Sequence, residues 1–185
     1  THVVRTATEM SLDPALDDGS DVTVEQLEVE ADRPRGARFG SLVHALLADV
    51  PLRASDTGVE EGDALRALVD AHGRLLGSTL DEMSAAERVV SLVLRHPILR
   101  AAAAADERGA CYRETPVTTR LASGTLVEGT VDLAFDAGGT FIVVDFKTDQ
   151  DVDESLDGYR RQVKLYASAV AAARGCPARG VLMRI

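Results

Sequence analysis

An aspartate and a lysine two positions apart, Asp145 and Lys147, close the apolar run that begins at Phe141. If that run is a strand, its side chains alternate, so Phe141, Val143, Asp145 and Lys147 share one face and Ile142, Val144 and Phe146 the other. A carboxylate and an ammonium then emerge side by side at the strand's exposed end. In the preceding segment Glu128, Thr130 and Asp132 share a face, with Gly129 opposite, and a hairpin can bring Asp132 against Asp145. Two carboxylates beside a lysine suit a magnesium ion and a phosphate, because hard cations take oxygen ligands and an ammonium meets developing negative charge. A cross-strand ion pair on a solvated face has the same spacing.

The elements that must position these residues follow from periodicity. Between Arg38 and Val50 the apolar residues Phe39, Leu42, Val43, Leu46 and Leu47 recur at three and four, which predicts an amphipathic helix stopped by Pro51. A second helix is predicted from about Glu61 to Leu76. A third is predicted from a capping box at Ser84 and Glu87 to His96, and Pro97 opens a short alanine-rich one. After Gly109 the period falls to two. Cys111–Arg120, Thr125–Phe135 and Thr140–Lys147 are predicted as an antiparallel meander, followed by a helix over Leu156–Arg174 and a last strand over Gly180–Ile185.

Composition sets the outer bounds. The chain has 185 residues, 45% of them hydrophobic, and no apolar stretch as long as the ~20 residues a bilayer span requires. Thirty acidic against twenty basic residues give a net charge of -10, too acidic for a protein that grips nucleic acid by a basic surface alone. Nine of the carboxylates lie in residues 1–36 against Arg5, Arg33 and Arg35, so this stretch reads as an acidic linker or arm ahead of a domain over 37–185. Two cysteines, Cys111 and Cys176, are too few for a zinc site or an iron-sulfur cluster. With no signal peptide and few cysteines, a reducing cytoplasm is the expected compartment.

Five segments, in order, resemble the successive motifs of the RecB-type nuclease domain of the PD-(D/E)xK superfamily: Phe39-Gly-Ser-Leu-Val-His44, Arg113-Glu-Thr-Pro116, Glu128-Gly-Thr-Val-Asp-Leu133, Val143-Val-Asp-Phe-Lys-Thr-Asp149 and Tyr159-Arg-Arg-Gln-Val-Lys-Leu-Tyr166. The resemblance implies an α/β fold with a restriction-endonuclease-like αβββαβ core, a mixed central sheet flanked by helices. It also implies the activity, a magnesium-dependent (exo)deoxyribonuclease, with manganese able to substitute. Such domains stand at the C-terminus of UvrD-like helicase-nucleases that process double-strand breaks in DNA repair. The implied partners are single-stranded DNA and a helicase motor, in the same polypeptide or in a partner subunit, with no membrane. Some relatives carry four cysteines around an iron-sulfur cluster; this chain departs from that pattern, and no cluster is expected.

By the same resemblance Asp132, Asp145 and Lys147 are the catalytic positions, and His44, Asp132, Asp145 and the Phe146 carbonyl the metal ligands. Gly40, one turn before His44, leaves room beside it. Glu114, Gln162 and Tyr166 are auxiliary or DNA-contacting, the last two sharing a helix face at i and i+4. Each has a plain structural alternative: a satisfied core histidine for His44, a strand-edge ion pair for Glu114, a core aromatic for Tyr166. The basic groups Arg33, Arg35 and Arg38, and Arg160, Arg161 and Lys164, are candidates for phosphate contacts or for solvated faces. Two rival functions stay open: a catalytically inactive DNA-channel or scaffold domain, and a standalone nuclease.

Overall fold

A computed structural model describes residues 3–13, 19, 21–29, 32–52, 59–148 and 152–185. Pro14, Asp17, Asp18 and Ser20 of the acidic stretch, and Asp149 at the end of the fourth motif, lie outside the described residues.

The predicted core elements are present. Helix α2 (Ala37–Asp49) carries its apolar stripe from Phe39 to Leu47 into the core. Helices α3 (Val59–Leu76), α4 (Leu80–Leu94) and α5 (Pro97–Asp106) follow, and then the strands β3 (Cys111–Arg120), β4 (Leu126–Asp136) and β5 (Phe141–Lys147), helix α6 (Val152–Arg174) and strand β6 (Ala178–Arg184). β3, β4 and β5 are antiparallel neighbours, while β6 runs parallel to β5. α2 through α5 pack on one face of this mixed sheet, through Leu133, Phe135, Val144, Phe146 and Met183. α6 covers the other, against Val131, Ala134, Phe141 and Val143. No helix is long and apolar enough to cross a membrane among the described residues.

Two local expectations differ. α4 begins at a capping box formed by Thr79 and Glu82, not by Ser84 and Glu87; the Thr79 hydroxyl accepts the Glu82 N–H and the Glu82 carboxylate accepts the Thr79 N–H. Both pairs have the right spacing, but the earlier one adds a full turn and an ion pair from Arg38 to Glu82. The second difference concerns the acidic stretch. Part of it joins the sheet: β1 (Val4–Thr6) runs parallel to β4, the short helix α1 (Ala7–Met10) follows, and β2 (Thr23–Gln26) runs parallel to β6. Ala7 and Met10 enter the core under α6, and Val22 packs on Val163 and Leu182, so the apolar minority of this segment outweighs its charge.

Candidate active site

Three strands bring three carboxylates into one row. β4 pairs with β5 from Asp136↔Phe141 to Leu133↔Val144 and the ladder stops there; the next positions in register are Asp132 and Asp145. On the other edge of β4, the pairs Arg113↔Leu133 and Thr115↔Val131 leave Glu114 opposite Asp132. In place of the missing ladder bond, the Phe146 N–H donates to Asp132 Oδ2 at 2.8 Å. Beyond this fork β4 takes β1 as its neighbour, at residues 126–128.

The strict alternation expected for β4 breaks at the same place. Val127 and Val131 pack toward α6, whereas Leu133 and Phe135 pack toward the α2–α5 layer. Opposite Asp132 on the neighbouring strand, Glu114 has φ 45°, in the left-handed region that costs a non-glycine residue of order 1–3 kcal/mol. β3 changes faces over the same stretch, with Tyr112 and Val117 both packed on the α6 side. Asp132 therefore sits at the exchange of faces instead of in line with Glu128 and Thr130. β5 keeps its alternation, with Phe141 and Val143 toward α6 and Ile142, Val144 and Phe146 toward the other layer.

His44 reaches the row from the middle of α2. That helix is fixed at both ends: Arg113 Nη1 donates to the carbonyls of Leu47 (3.3 Å) and Val50 (2.6 Å) past its last turn, and near its start a Cβ on Gly40 would lie 2.9 Å from Thr148 Oγ1. The room at Gly40 is thus used by the end of β5. His44 Nδ1 lies 3.7 Å from Asp132 Oδ2, too far for a hydrogen bond, and its ring meets Phe146 edge-on at 6.5 Å. Donor atoms of His44, Glu114 and Asp132 all fall within 4.8 Å of one another. One cation with ligand distances of about 2.1–2.5 Å bridges such a span, so the donor set fits a divalent ion with oxygen and imidazole ligands.

Asp145, expected at an exposed strand end, is instead buried at 3% exposure, because β6 pairs beside it and α6 lies over it. Lys147 Nζ is 2.6 Å from its Oδ2, a close and largely buried ion pair. Burial raises the Asp145 carboxyl to about 6 even against the Lys147 charge, with Asp132 adding to the rise. Asp132 is raised too, chiefly by burial, while His44 and the Phe146 N–H oppose the shift. Carboxylates that resist ionisation when alone are those that a cation would stabilise.

Lys147 is held from a second side, 4.8 Å from the centre of the Tyr159 ring. Sequence reasoning placed Tyr159 in a motif without assigning it this contact; its position one turn before Gln162 on α6 was the available signal. Tyr166 and Gln162 do share a buried face of α6, and Gln162 Nε2 donates to the Tyr166 hydroxyl at 3.1 Å. The phenol is pushed up to about 12 by burial and by the nearby Asp145 charge, with hydrogen bonds from Gln162 and the Thr130 backbone opposing. Tyr166 can lie flat on β4 only because residue 129 is glycine: a Cβ there would be 2.4 Å from Tyr166 Cε1. Gly129→Ala is expected to displace the ring at a cost of about 1–3 kcal/mol, read as a melting temperature several degrees lower. Undiminished stability would mean that the ring has another place to go.

The basic groups named as phosphate contacts are largely committed elsewhere. Arg33 is buried, donates to the carbonyls of Thr148 and Ile185 and lies over the Phe39 ring; Arg38 pairs with Glu82. Arg161 donates to the Ser11 carbonyl, Arg160 pairs with Asp157, and Lys164 with Asp21.

Comparison with curated proteins finds no match. The family model of the PD-(D/E)XK nuclease superfamily matches residues 22–185, a span that contains His44, Glu114, Asp132, Asp145 and Lys147. With that match over most of its length, on a mixed sheet whose third core strand ends in an Asp-x-Lys beside two further carboxylates, the chain belongs to the PD-(D/E)XK nuclease superfamily.

Proposed function

We propose that the chain is a metal-dependent deoxyribonuclease domain of the RecB type, the exonuclease module of a helicase-nuclease that acts on single-stranded DNA during double-strand break processing. The observation that carries the reading is the convergence of Glu114, Asp132 and Asp145 across three adjacent strands, with His44 and Lys147 at the same point.

In this reading His44, Asp132 and Asp145 hold magnesium, with Glu114 and the Phe146 carbonyl as further oxygen donors. A divalent cation bound there supplies Lewis acidity to a phosphate oxygen and to water. The protein's own part is positional and electrostatic. Lys147, at 16% exposure and fixed between Asp145 and the Tyr159 ring, presents its ammonium where negative charge builds on the phosphate. Asp132 keeps the β4–β5 fork closed through the Phe146 N–H, which fixes the distance between the cation ligands and the lysine. Tyr166 and Gln162 form the wall beside them.

Delivery of the strand by a motor is supported by the commitment, among the described residues, of Arg33, Arg38, Arg160 and Lys164 to partners within the chain. Labelled single-stranded DNA, incubated with the purified chain, is expected to be degraded with magnesium or manganese and left intact with chelator. Binding is expected to be micromolar or weaker, with a shallow dependence on salt, because few phosphates are neutralised at once. Cleavage that persists in chelator, or none with either metal, would overturn the proposal. Nanomolar binding would remove the need for a motor.

A further inference from the structure

We infer that Thr8, in the N-terminal segment ahead of the region matched to the superfamily, is a positioning residue of the active site, acting through Gln162. The inference rests on the nuclease reading above and goes beyond it, because the superfamily match starts at residue 22.

Gln162 is 8% exposed, and its amide nitrogen makes two hydrogen bonds: one to the Tyr166 hydroxyl at 3.1 Å, the other to Thr8 Oγ1 at 3.2 Å. An amide nitrogen has two hydrogens, so these partners consume both. With the nitrogen committed, the group Gln162 has left to offer is its carbonyl oxygen, a pure acceptor. Thr8 and Tyr166 line the same cleft, of about 580 Å³, together with Gly129 and Thr130 at the β4 fork. A threonine from outside the core thus helps to set which way the glutamine amide points, and with it the hydrogen bond that holds the Tyr166 phenol within electrostatic reach of Asp132 and Asp145.

Thr8 is well placed for this role. α1 is seated by its own capping box, in which the Thr6 hydroxyl accepts the Glu9 N–H, and Ala7 and Met10 anchor it in the core. Arg161, next to Gln162, donates to the Ser11 carbonyl at 2.6 Å and ties the same turn of α6 to the end of α1. The Thr8 side chain is exposed and serves neither cap nor core, so it can be changed without dismantling the segment.

Thr8→Val keeps the shape and removes the acceptor. In the full chain it is expected to lower kcat for single-stranded DNA roughly ten- to a hundredfold, with KM and melting temperature nearly unchanged, since the loss is one of alignment. Thr8→Ser restores the hydroxyl and is expected to restore the rate. Independently of activity, the Gln162 side-chain amide, assigned in nitrogen-15 spectra by its disappearance in Gln162→Glu, is expected to be protected from exchange in the parent and in Thr8→Ser and to lose protection in Thr8→Val. A parent that cleaves while Thr8→Val cleaves equally well, or a Thr8→Ser as slow as Thr8→Val, overturns the inference and leaves the nuclease reading standing. So does an amide unprotected in the parent. A parent that cleaves no DNA with either metal overturns both.

Discussion

Lys147→Ala is expected to slow DNA cleavage by about 10²–10³-fold while leaving the binding of metal in place. The magnitude is that of removing one fixed electrostatic partner from a developing anion in a site shielded from water. The separation of the two effects follows from geometry: Lys147 touches Asp145 and the Tyr159 ring, whereas the cluster of His44, Glu114 and Asp132 is built without it. Asp145→Asn is the companion variant. It has nearly the same volume, so the packing under α6 survives, but it removes a buried charge that pairs with the lysine and, in the proposed reading, ligates the cation; loss of rate at least as large is expected, together with weaker metal binding. Single-turnover cleavage assays and metal titrations on the two variants check the pair. Parental rates in Lys147→Ala would remove the lysine from the chemistry altogether.

The second large effect concerns stability. Asp132 and Asp145 are both raised by burial, and the charge of Asp132 adds to the cost of ionising Asp145. The Asp145 carboxyl takes its proton at about 6 in the folded chain against 3.8 for an ordinary aspartate. The folded state therefore holds the proton more tightly than the unfolded one. Without metal, the stability linked to this group is present in full below pH 3.8 and is lost as pH rises toward about 6, with no further change above. A cation that binds only the folded chain takes the proton's place, so its stabilising effect grows over the same interval. At a hundred times its dissociation constant it contributes about 2.7 kcal/mol. Asp132→Asn can still accept the Phe146 N–H and is expected to melt no lower than the parent in chelator, yet to lose most of the shift produced by manganese. Melting curves with chelator and with manganese at pH 5 and pH 7.5 test both statements; an undiminished manganese shift would exclude Asp132 as a ligand.

What could be read in advance divides along physical lines. The αβββαβ order was legible because the hydrophobic period switches cleanly, from helical to two after Gly109 and back to helical after Lys147, and because β5 alternates without interruption. Asp132 and Asp145 were placed together correctly in register, but the rotation at Glu114 was not, since a period-two rule assumes that every residue has extended backbone. Charge counting over residues 1–36 gave no sign of β1, α1 and β2. β1 and β2 are short, parallel to their partners and paired with residues more than a hundred positions away, and no local pattern announces such a contact. The same limit applies to Arg33, whose guanidinium serves the carbonyls of Thr148 and Ile185 at the far end of the chain. Cap geometry was open to two readings because Thr79 and Ser84 each stand three residues before a glutamate.

Under the proposed function, the left-handed backbone at Glu114 sets thermal robustness and catalysis against each other at one position. A glycine would adopt φ 45° without strain, so a selection for melting temperature alone would favour Glu114→Gly. That change would also strip a carboxylate from the cluster of His44, Glu114 and Asp132 that the proposal assigns to a cation. An engineering campaign guided only by folding stability would therefore tend to disarm this domain at residue 114, and a useful thermostable variant has to find its gains elsewhere.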